Sequence, residues 1–348
     1  MYDMRAELIE LAQSPEVDWT RLAGKRVLVT GATGLVGGQC VRTLLERNRL
    51  SGDGIHVIAL VRNLEKAQNF FEGYGSDDGL EFCVSDLLEF KDFSLPRDFI
   101  IHAGCPTASA FFMNHPVETA ATVVDGTRNM LELAKQAQVE SFVYVSSMEV
   151  YGNGNATPGT EHKLGEPDVG YVNPLSMRSC YPEGKRMAEF FAAAYAHEYG
   201  VHAKSARLAQ TFGPGIPKTD GRVFAQFARC AINGEDIVLK TTGQSTRMYN
   251  YTLDAVKGLL VVLLRGEDGR SYNIANEATY SSVREMAELV ARECAGGKIA
   301  VRIEVDPDAP YPPDHHLPLD TSAIRALGWT PSVDLAEMYN RLIAYLED

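Results

Sequence analysis

Val27-Leu28-Val29-Thr30 runs directly into Gly31-Ala32-Thr33-Gly34-Leu35-Val36-Gly37-Gly38. A short β-branched run reads as a buried strand, and glycines three apart at its end read as a turn into a helix. The first glycine permits the tight turn. The second lets backbone approach a pyrophosphate, and the third lets helix and strand pack closely. The first helical turn then offers unpaired N–H groups to phosphates. On this reading Gly31, Thr33, Gly34, Leu35, Val36 and Gly37 cradle a dinucleotide.

Outward from that stretch the pattern alternates. β-Branched runs at 27–30, 56–61, 99–103, 141–146 and 203–208 are separated by helical stretches at 37–48, 118–138 and 181–199. Nearly continuous apolar strands between helices predict a parallel sheet covered on both faces. Right-handed crossovers make it α/β, a doubly wound parallel Rossmann sheet. Residues 1–24 read as a helical lead-in with a short amphipathic helix, and 25–210 as the dinucleotide-binding domain. Gly and Pro then cluster at 212–217 and 306–318, with helical segments at 222–233 and 282–294 between them. Residues 211–348 are therefore expected to form mainly a smaller, discontinuous C-terminal substrate lobe, with some segments returning to the sheet.

The chain has 348 residues, 45% of them hydrophobic, enough for a sizeable core. A net charge of −13 argues against nucleic acid and anionic membranes as partners, while leaving room for a local basic pocket. Six scattered cysteines without Cys-x-x-Cys argue against a metal site or a disulfide framework, and for a reducing cytosol. The N-terminus lacks the basic start and apolar stretch of a signal peptide. No apolar run reaches the roughly 20 residues that span a bilayer. A cytoplasmic protein without metal is the expectation.

The second strand ends Ala59-Leu60-Val61-Arg62-Asn63. An acidic residue here would bind the ribose 2′-hydroxyl of NAD, whereas Arg62 suits the 2′-phosphate of NADP, so both cofactors stay open. Asp86-Leu87, after the third strand, is placed to meet the adenine. Ala103, in Ile101-His102-Ala103-Gly104, passes beneath the cofactor.

A second constellation is Ser146-Ser147-Met148-Glu149-Val150-Tyr151-Gly152, followed by Tyr181-Pro182-Glu183-Gly184-Lys185. Tyr181 and Lys185 are four apart and share a helix face. An ammonium beside the phenol is expected to draw its pKa toward neutrality. Tyr181 then acts as a base on a sugar hydroxyl while hydride leaves the same carbon. Lys185 also holds the nicotinamide ribose, and Ser147 hydrogen-bonds the hydroxyl. Glu149, two residues further along the same strand, is expected on the same face. A carboxylate there can abstract a C5 proton made acidic by a ketone at C4.

These motifs, in this order, resemble the extended short-chain dehydrogenase/reductase superfamily, and within it the nucleotide-sugar epimerase/dehydratase branch. The stretch from Asn173 to Glu189, and Thr211-Phe212-Gly213-Pro214 with Asp220-Gly221-Arg222-Val223, look most like UDP-glucuronate decarboxylases (UDP-xylose synthases). Thr246–Tyr251 and Leu327-Gly328-Trp329-Thr330-Pro331 fit the same branch. The resemblance implies a nucleotide diphosphate-sugar between two lobes, met by Arg178, Gln210, Arg222, Val223, Arg247 and His316. Arg222 and Arg247 would contact its phosphates or nucleoside, arginine being a natural bidentate phosphate partner.

The chain also departs from the branch. Dehydratases carry Asp-Glu where this chain has Met148-Glu149, and Met148 has no proton for a leaving hydroxyl. Decarboxylases usually carry Ser-Glu there, and an arginine near the position of His316-Leu317-Pro318. His316 replaces that charge only when protonated. Gln210 and Val123 stand where the branch tends to have asparagines. The expected function is an NAD(P)-dependent nucleotide-sugar enzyme working through a 4-keto intermediate, decarboxylase-like. A 4-epimerase, a dehydratase or a 4-keto reductase are the alternatives, and a catalytically silent NAD(P)-binding sensor or subunit is the non-enzyme one. The resemblance also implies a homodimer through a four-helix bundle of helices 118–138 and 181–199. The second of these carries Phe190-Phe191-Ala192-Ala193-Ala194-Tyr195, apolar on more than one side.

Overall fold

A computed structural model describes residues 2–91, 97–154, 162–306 and 314–348. Most of the predicted Gly/Pro cluster at 306–318 lies outside the described residues. In chain order the strands are β1 (Arg26–Thr30), β2 (His56–Val61), β3 (Leu80–Val84), β4 (Phe99–His102), β5 (Ser141–Ser147), β6 (Ala203–Leu208), β7 (Gln210–Phe212), β8 (Ile237–Leu239), β9 (Thr246–Tyr251), β10 (Ser271–Ile274), β11 (Asn276–Ser282), β12 (Val301–Ile303) and β13 (His316–Leu317). The helices are α1 (Met4–Ala12), α2 (Leu35–Ser51), α3 (Leu64–Phe70), α4 (Ser109–Asn114), α5 (Pro116–Ala137), α6 (Cys180–Tyr199), α7 (Val223–Asn233), α8 (Thr252–Arg265), α9 (Val283–Leu289), α10 (Ser322–Ala326) and α11 (Leu335–Glu347).

Seven strands form one parallel sheet in the order β10-β6-β5-β4-β1-β2-β3. This is the expected doubly wound Rossmann-type α/β sheet. The strands are apolar on both faces because both are covered. Val27, Val29, Val57, Ala59, Phe99 and Ile101 point into one core, shared with α2 and α8. Leu28, Ile58, Ile100, Phe142 and Tyr144 point into the other, against α5 and α6. The strand order reverses between β1 and β4, whose ends lie side by side with Thr30 opposite His102. Ligands of such sheets bind in the crevice that this reversal opens.

The rest of the chain builds two smaller sheets. One has β11, β9 and β13 side by side with β7 also on β9, and the other pairs β12 with β8. Between them the chain returns to the main sheet as β10. Helix α8 buries every residue except Arg265 and packs on α2, β5 and β6. From Gly258 to Leu264 its sequence is apolar all round, as a segment covered on all sides must be.

Several boundaries differ from expectation. Helix α2 starts at Leu35, two residues early, because Gly34 is its N-cap. The predicted strand to 103 ends at His102. The helix predicted over 282–294 is α-helical only to Leu289 and continues as a wider π turn, Val290–Cys294. In the lead-in, α1 is followed by a single 3₁₀ turn at Trp19–Arg21.

The buried tyrosines give the fold an alkaline limit. Burial pushes Tyr151 and Tyr249 from 10.0 up to about 12. The unfolded chain releases these protons near 10, so folding favours the protonated phenols. Their contribution is complete below pH 10 and is lost as pH rises through 12. Thermal melting is expected to be insensitive to them at neutral pH and to fall steeply between about pH 10 and 12. A melting temperature unchanged across that interval would contradict this.

Candidate active site

The glycine turn joins β1 to α2 at the sheet crevice. Gly31 has φ +63, and a Cβ on it would lie 2.5 Å from the carbonyl oxygen of Ala103. A Cβ on Gly37 would lie 2.3 Å from the oxygen of Gly31. Both positions therefore require glycine. The first-turn amides of α2 have no partner four residues back and face this turn. The described residues thus fit a pyrophosphate: a tight backbone cradle at a helix start, with no side chain in the way. Leu87 reaches toward Gly104, whose own Cβ would meet the Leu87 side chain. The Asp86 carboxylate accepts the Leu88 N–H at 2.9 Å. Thr33 and Arg62 line a cavity of about 360 Å³ at the end of β2.

His102 is structural. Its Nδ1 is 2.7 Å from the Thr30 hydroxyl and its Nε2 is 3.1 Å from the Thr127 hydroxyl. Burial, helped by the Lys185 charge, pushes its pKa down to about 3, so it is neutral.

Tyr181 and Lys185 lie in the first turns of α6, and both are buried. The Tyr181 ring stacks on Phe112 of α4, with centroids 4.5 Å apart and planes 15° apart. The Ser147 hydroxyl at the end of β5 lies close enough to the phenol to favour its ionised form. Lys185 donates to the Val145 carbonyl at 2.7 Å, and its ammonium is 5.5 Å from the Tyr181 ring centroid. The expected fall in the Tyr181 pKa is overturned. Burial holds the phenol well above its ordinary value, and Cys105 and Glu149 push the same way. The nearby Ser147 hydroxyl and Arg178 offset only part of this. The ammonium is spent on a backbone carbonyl rather than aimed at the phenol oxygen.

Glu149 also departs from expectation. Strand β5 ends at Ser147, and residues Met148–Tyr151 form a 3₁₀ turn capped by the Ser147 hydroxyl, which accepts the Glu149 N–H at 3.2 Å. The period-two argument therefore does not place Glu149. Its carboxylate instead accepts from Arg178 Nη2 at 2.6 Å. The Arg178 guanidinium lies 5.0 Å from the Phe112 ring centroid, and its Nη1 is buried with no hydrogen-bond partner. Phe112 is thus shared between Tyr181 and Arg178. Met148 is buried with Val150, Tyr151, Met248 and Leu317, which accounts for an apolar residue here.

Phe112 and Cys105 were not legible as site residues. Phe112 sits in a six-residue helix too short to show a period. The Cys105 thiol is drawn up by burial and partly down by Lys185, so it lies within reach of the Tyr181–Lys185 pair.

The other expected substrate residues lie in the smaller sheets or beside them. Arg222, at the N-cap of α7, is paired with Asp220, with Nη2 to Oδ2 at 2.5 Å. Val223 follows it and is exposed. Gln210 opens β7, which pairs with β9. Arg247 on β9 lies 3.0 Å from the His315 ring, and its Nε is buried without a partner. His316 Nδ1 is 2.8 Å from the Thr246 hydroxyl, so it is packed on β9.

Behind the site runs a buried ionic network. Arg207 on β6 holds Glu189 of α6 at 2.7 Å, and Ser146 donates to the same carboxylate at 2.5 Å. Arg207 also donates to the Tyr151 hydroxyl at 3.0 Å. The network ties the end of β5 to the helix carrying Tyr181. Among the described residues no three His, Cys, Asp or Glu side chains are grouped to hold a metal, and no helix is long and apolar enough to cross a membrane.

Comparison with known proteins gives the family and the fold. The family model described as the NAD dependent epimerase/dehydratase family matches residues 27–275. UDP-glucuronic acid decarboxylase 6 of Arabidopsis thaliana is 33% identical over 320 residues, 90% of this chain and 86% of the relative. The UDP-glucuronic acid 4-epimerase of Bacillus cereus, solved with UDP-glucuronic acid and NAD, superposes with a TM-score of 0.75 at 18% identity, covering 92% of this chain and 99% of that one. The dTDP-glucose 4,6-dehydratase of Streptomyces venezuelae, solved with NAD bound, gives 0.74 at 24% identity, covering 92% and 97%.

Proposed function

The chain belongs to the NAD-dependent epimerase/dehydratase family, and on that premise we propose that it oxidises C4 of UDP-glucuronate and decarboxylates the resulting keto acid. The observation that carries this reading is the Tyr181–Ser147 hydroxyl pair, with Lys185 behind it and the Glu149–Arg178 pair beside it. Bound along the glycine turn, the oxidised nicotinamide supplies a hydride acceptor and a positive charge that favours the phenolate. Tyr181 takes the C4 hydroxyl proton, and Ser147 holds the same oxygen. The ketone at C4 makes the sugar a β-keto acid. Its carboxylate leaves as carbon dioxide, and the electron pair passes into a C4–C5 enolate. Glu149 is the group that handles the proton at C5. Arg178 fixes Glu149 and keeps one donor for the substrate. A buried Met148 argues against dehydration, which needs a proton donor at that position. Arg222, Arg247, Gln210, Val223 and His316 complete the nucleotide-sugar site on this reading.

The test is mass spectrometry of UDP-glucuronate after incubation with the purified chain and, in parallel samples, NAD or NADP. Loss of the mass of carbon dioxide, giving a UDP-pentose or UDP-4-keto-pentose, is expected. An unchanged mass with inverted C4 by NMR would replace this reading with epimerisation.

A homodimer through α5 and α6 belongs to the same proposal. Val117 is 77% exposed and Phe190 62%, and Met187 is exposed on the same face of α6 as Phe190. A second copy would cover this stripe. Phe190→Asp is expected to convert a dimer into a monomer in light scattering. A wild-type monomer would sink the dimer. Six free thiols support a cytosolic site of action.

A further inference from the structure

The cavity at the end of β2 does not match the cofactor that the family name states. Its lining is Thr33, Val61, Arg62, Asn63 and Lys66, and it holds about 360 Å³. An NAD site here places a carboxylate on the adenosine ribose diol. None of these five residues is acidic. Only Thr33 and Asn63 bring side-chain oxygens, and Asn63 Oδ1 already accepts the Lys66 N–H at 2.9 Å as the cap of α3. The lining instead presents two cations. Arg62 and Lys66 are both exposed, and neither side chain has an ion pair or hydrogen bond among the described residues. Two cations on a cavity whose lining holds no carboxylate suit an anion there. The cavity begins at Thr33 of the glycine turn, so its natural occupant is the adenosine end of the dinucleotide lying there.

We propose that Arg62 and Lys66 bind a 2′-phosphate on that ribose, so that this chain selects NADP(H) over NAD(H). The guanidinium offers a planar fork to the phosphate oxygens, and the ammonium adds a point charge. The hydride chemistry is unaffected, because the 2′-phosphate lies at the far end of the cofactor from the nicotinamide. The inference rests on the dinucleotide turn and not on the sugar chemistry.

The experiment is calorimetric titration of the full-length chain with 2′,5′-ADP and with 5′-ADP. Neither fragment carries a nicotinamide, so turnover plays no part in the readout. The 2′-phosphorylated fragment is expected to bind on the order of tenfold tighter or more at low salt, with the difference shrinking as salt rises. In the double variant Arg62→Ala, Lys66→Ala the preference disappears while 5′-ADP affinity holds. Equal or tighter binding of 5′-ADP by the wild type overturns the proposal, as does a preference that survives in the double variant. Binding of neither fragment overturns it together with the dinucleotide turn. Inactivity toward UDP-glucuronate with the preference intact would discard only the sugar reading.

Discussion

Tyr181→Phe is expected to lower turnover by roughly 10²–10⁴-fold, the usual worth of a positioned general acid–base group. The variant removes one oxygen. The ring keeps its stack on Phe112, so α6 and α4 stay in place. Lys185 keeps its bond to the Val145 carbonyl, so its position does not depend on the phenol. Dinucleotide affinity should therefore be unchanged, and the melting temperature should shift little. The loss should fall on kcat rather than KM, because the hydroxyl acts mainly where the C4 proton is in flight. Turnover within about tenfold of wild type would remove Tyr181 from the chemistry and, with it, the enzymatic reading of this site.

The second large effect is on stability. Arg207→Leu is expected to cost about 3–5 kcal/mol in urea unfolding. Glu189 and Arg207 are both buried, and Ser146 and Ser271 hydrogen-bond the same carboxylate. Removing the guanidinium leaves that carboxylate buried without its counter-charge. Replacing both partners with leucine removes the stranded charge, so the double variant should recover much of the loss. A single variant that unfolds within about 1 kcal/mol of wild type would show that the pair contributes little. The pair also matters for the site, because it fixes Ser146, the neighbour of Ser147, against the helix that carries Tyr181.

The parts of the fold legible in the sequence were those fixed locally. Val27–Thr30 followed by spaced glycines specifies strand, turn and helix because Gly31 and Gly37 each meet a backbone approach that only glycine permits. Tyr181 and Lys185 were legible as a pair because a helix places residues four apart on one face. Glu149 does lie near Tyr181, but in a turn instead of the strand, because the Ser147 hydroxyl caps a turn there and capping of this kind overrides strand periodicity. The raised phenol pKa of Tyr181 was missed because it depends on burial by Phe112 and on the direction of the Lys185 ammonium. Neither is written in the spacing of Tyr181 and Lys185. Helix α8 escaped because its run Gly258–Leu264 is apolar on every side and has no period to read. A return to the sheet was expected, but β10 could not be located because its partner, β6, is more than 60 residues away in sequence.

The most direct test of the central claim is a turnover of UDP-glucuronate carrying deuterium at C4. The account predicts loss of carbon dioxide with the deuterium retained, either at C4 of the pentose product or on the nicotinamide, because Tyr181 removes only the hydroxyl proton. Decarboxylation with the deuterium lost to solvent, or no carbon dioxide released while C4 is untouched, would contradict it.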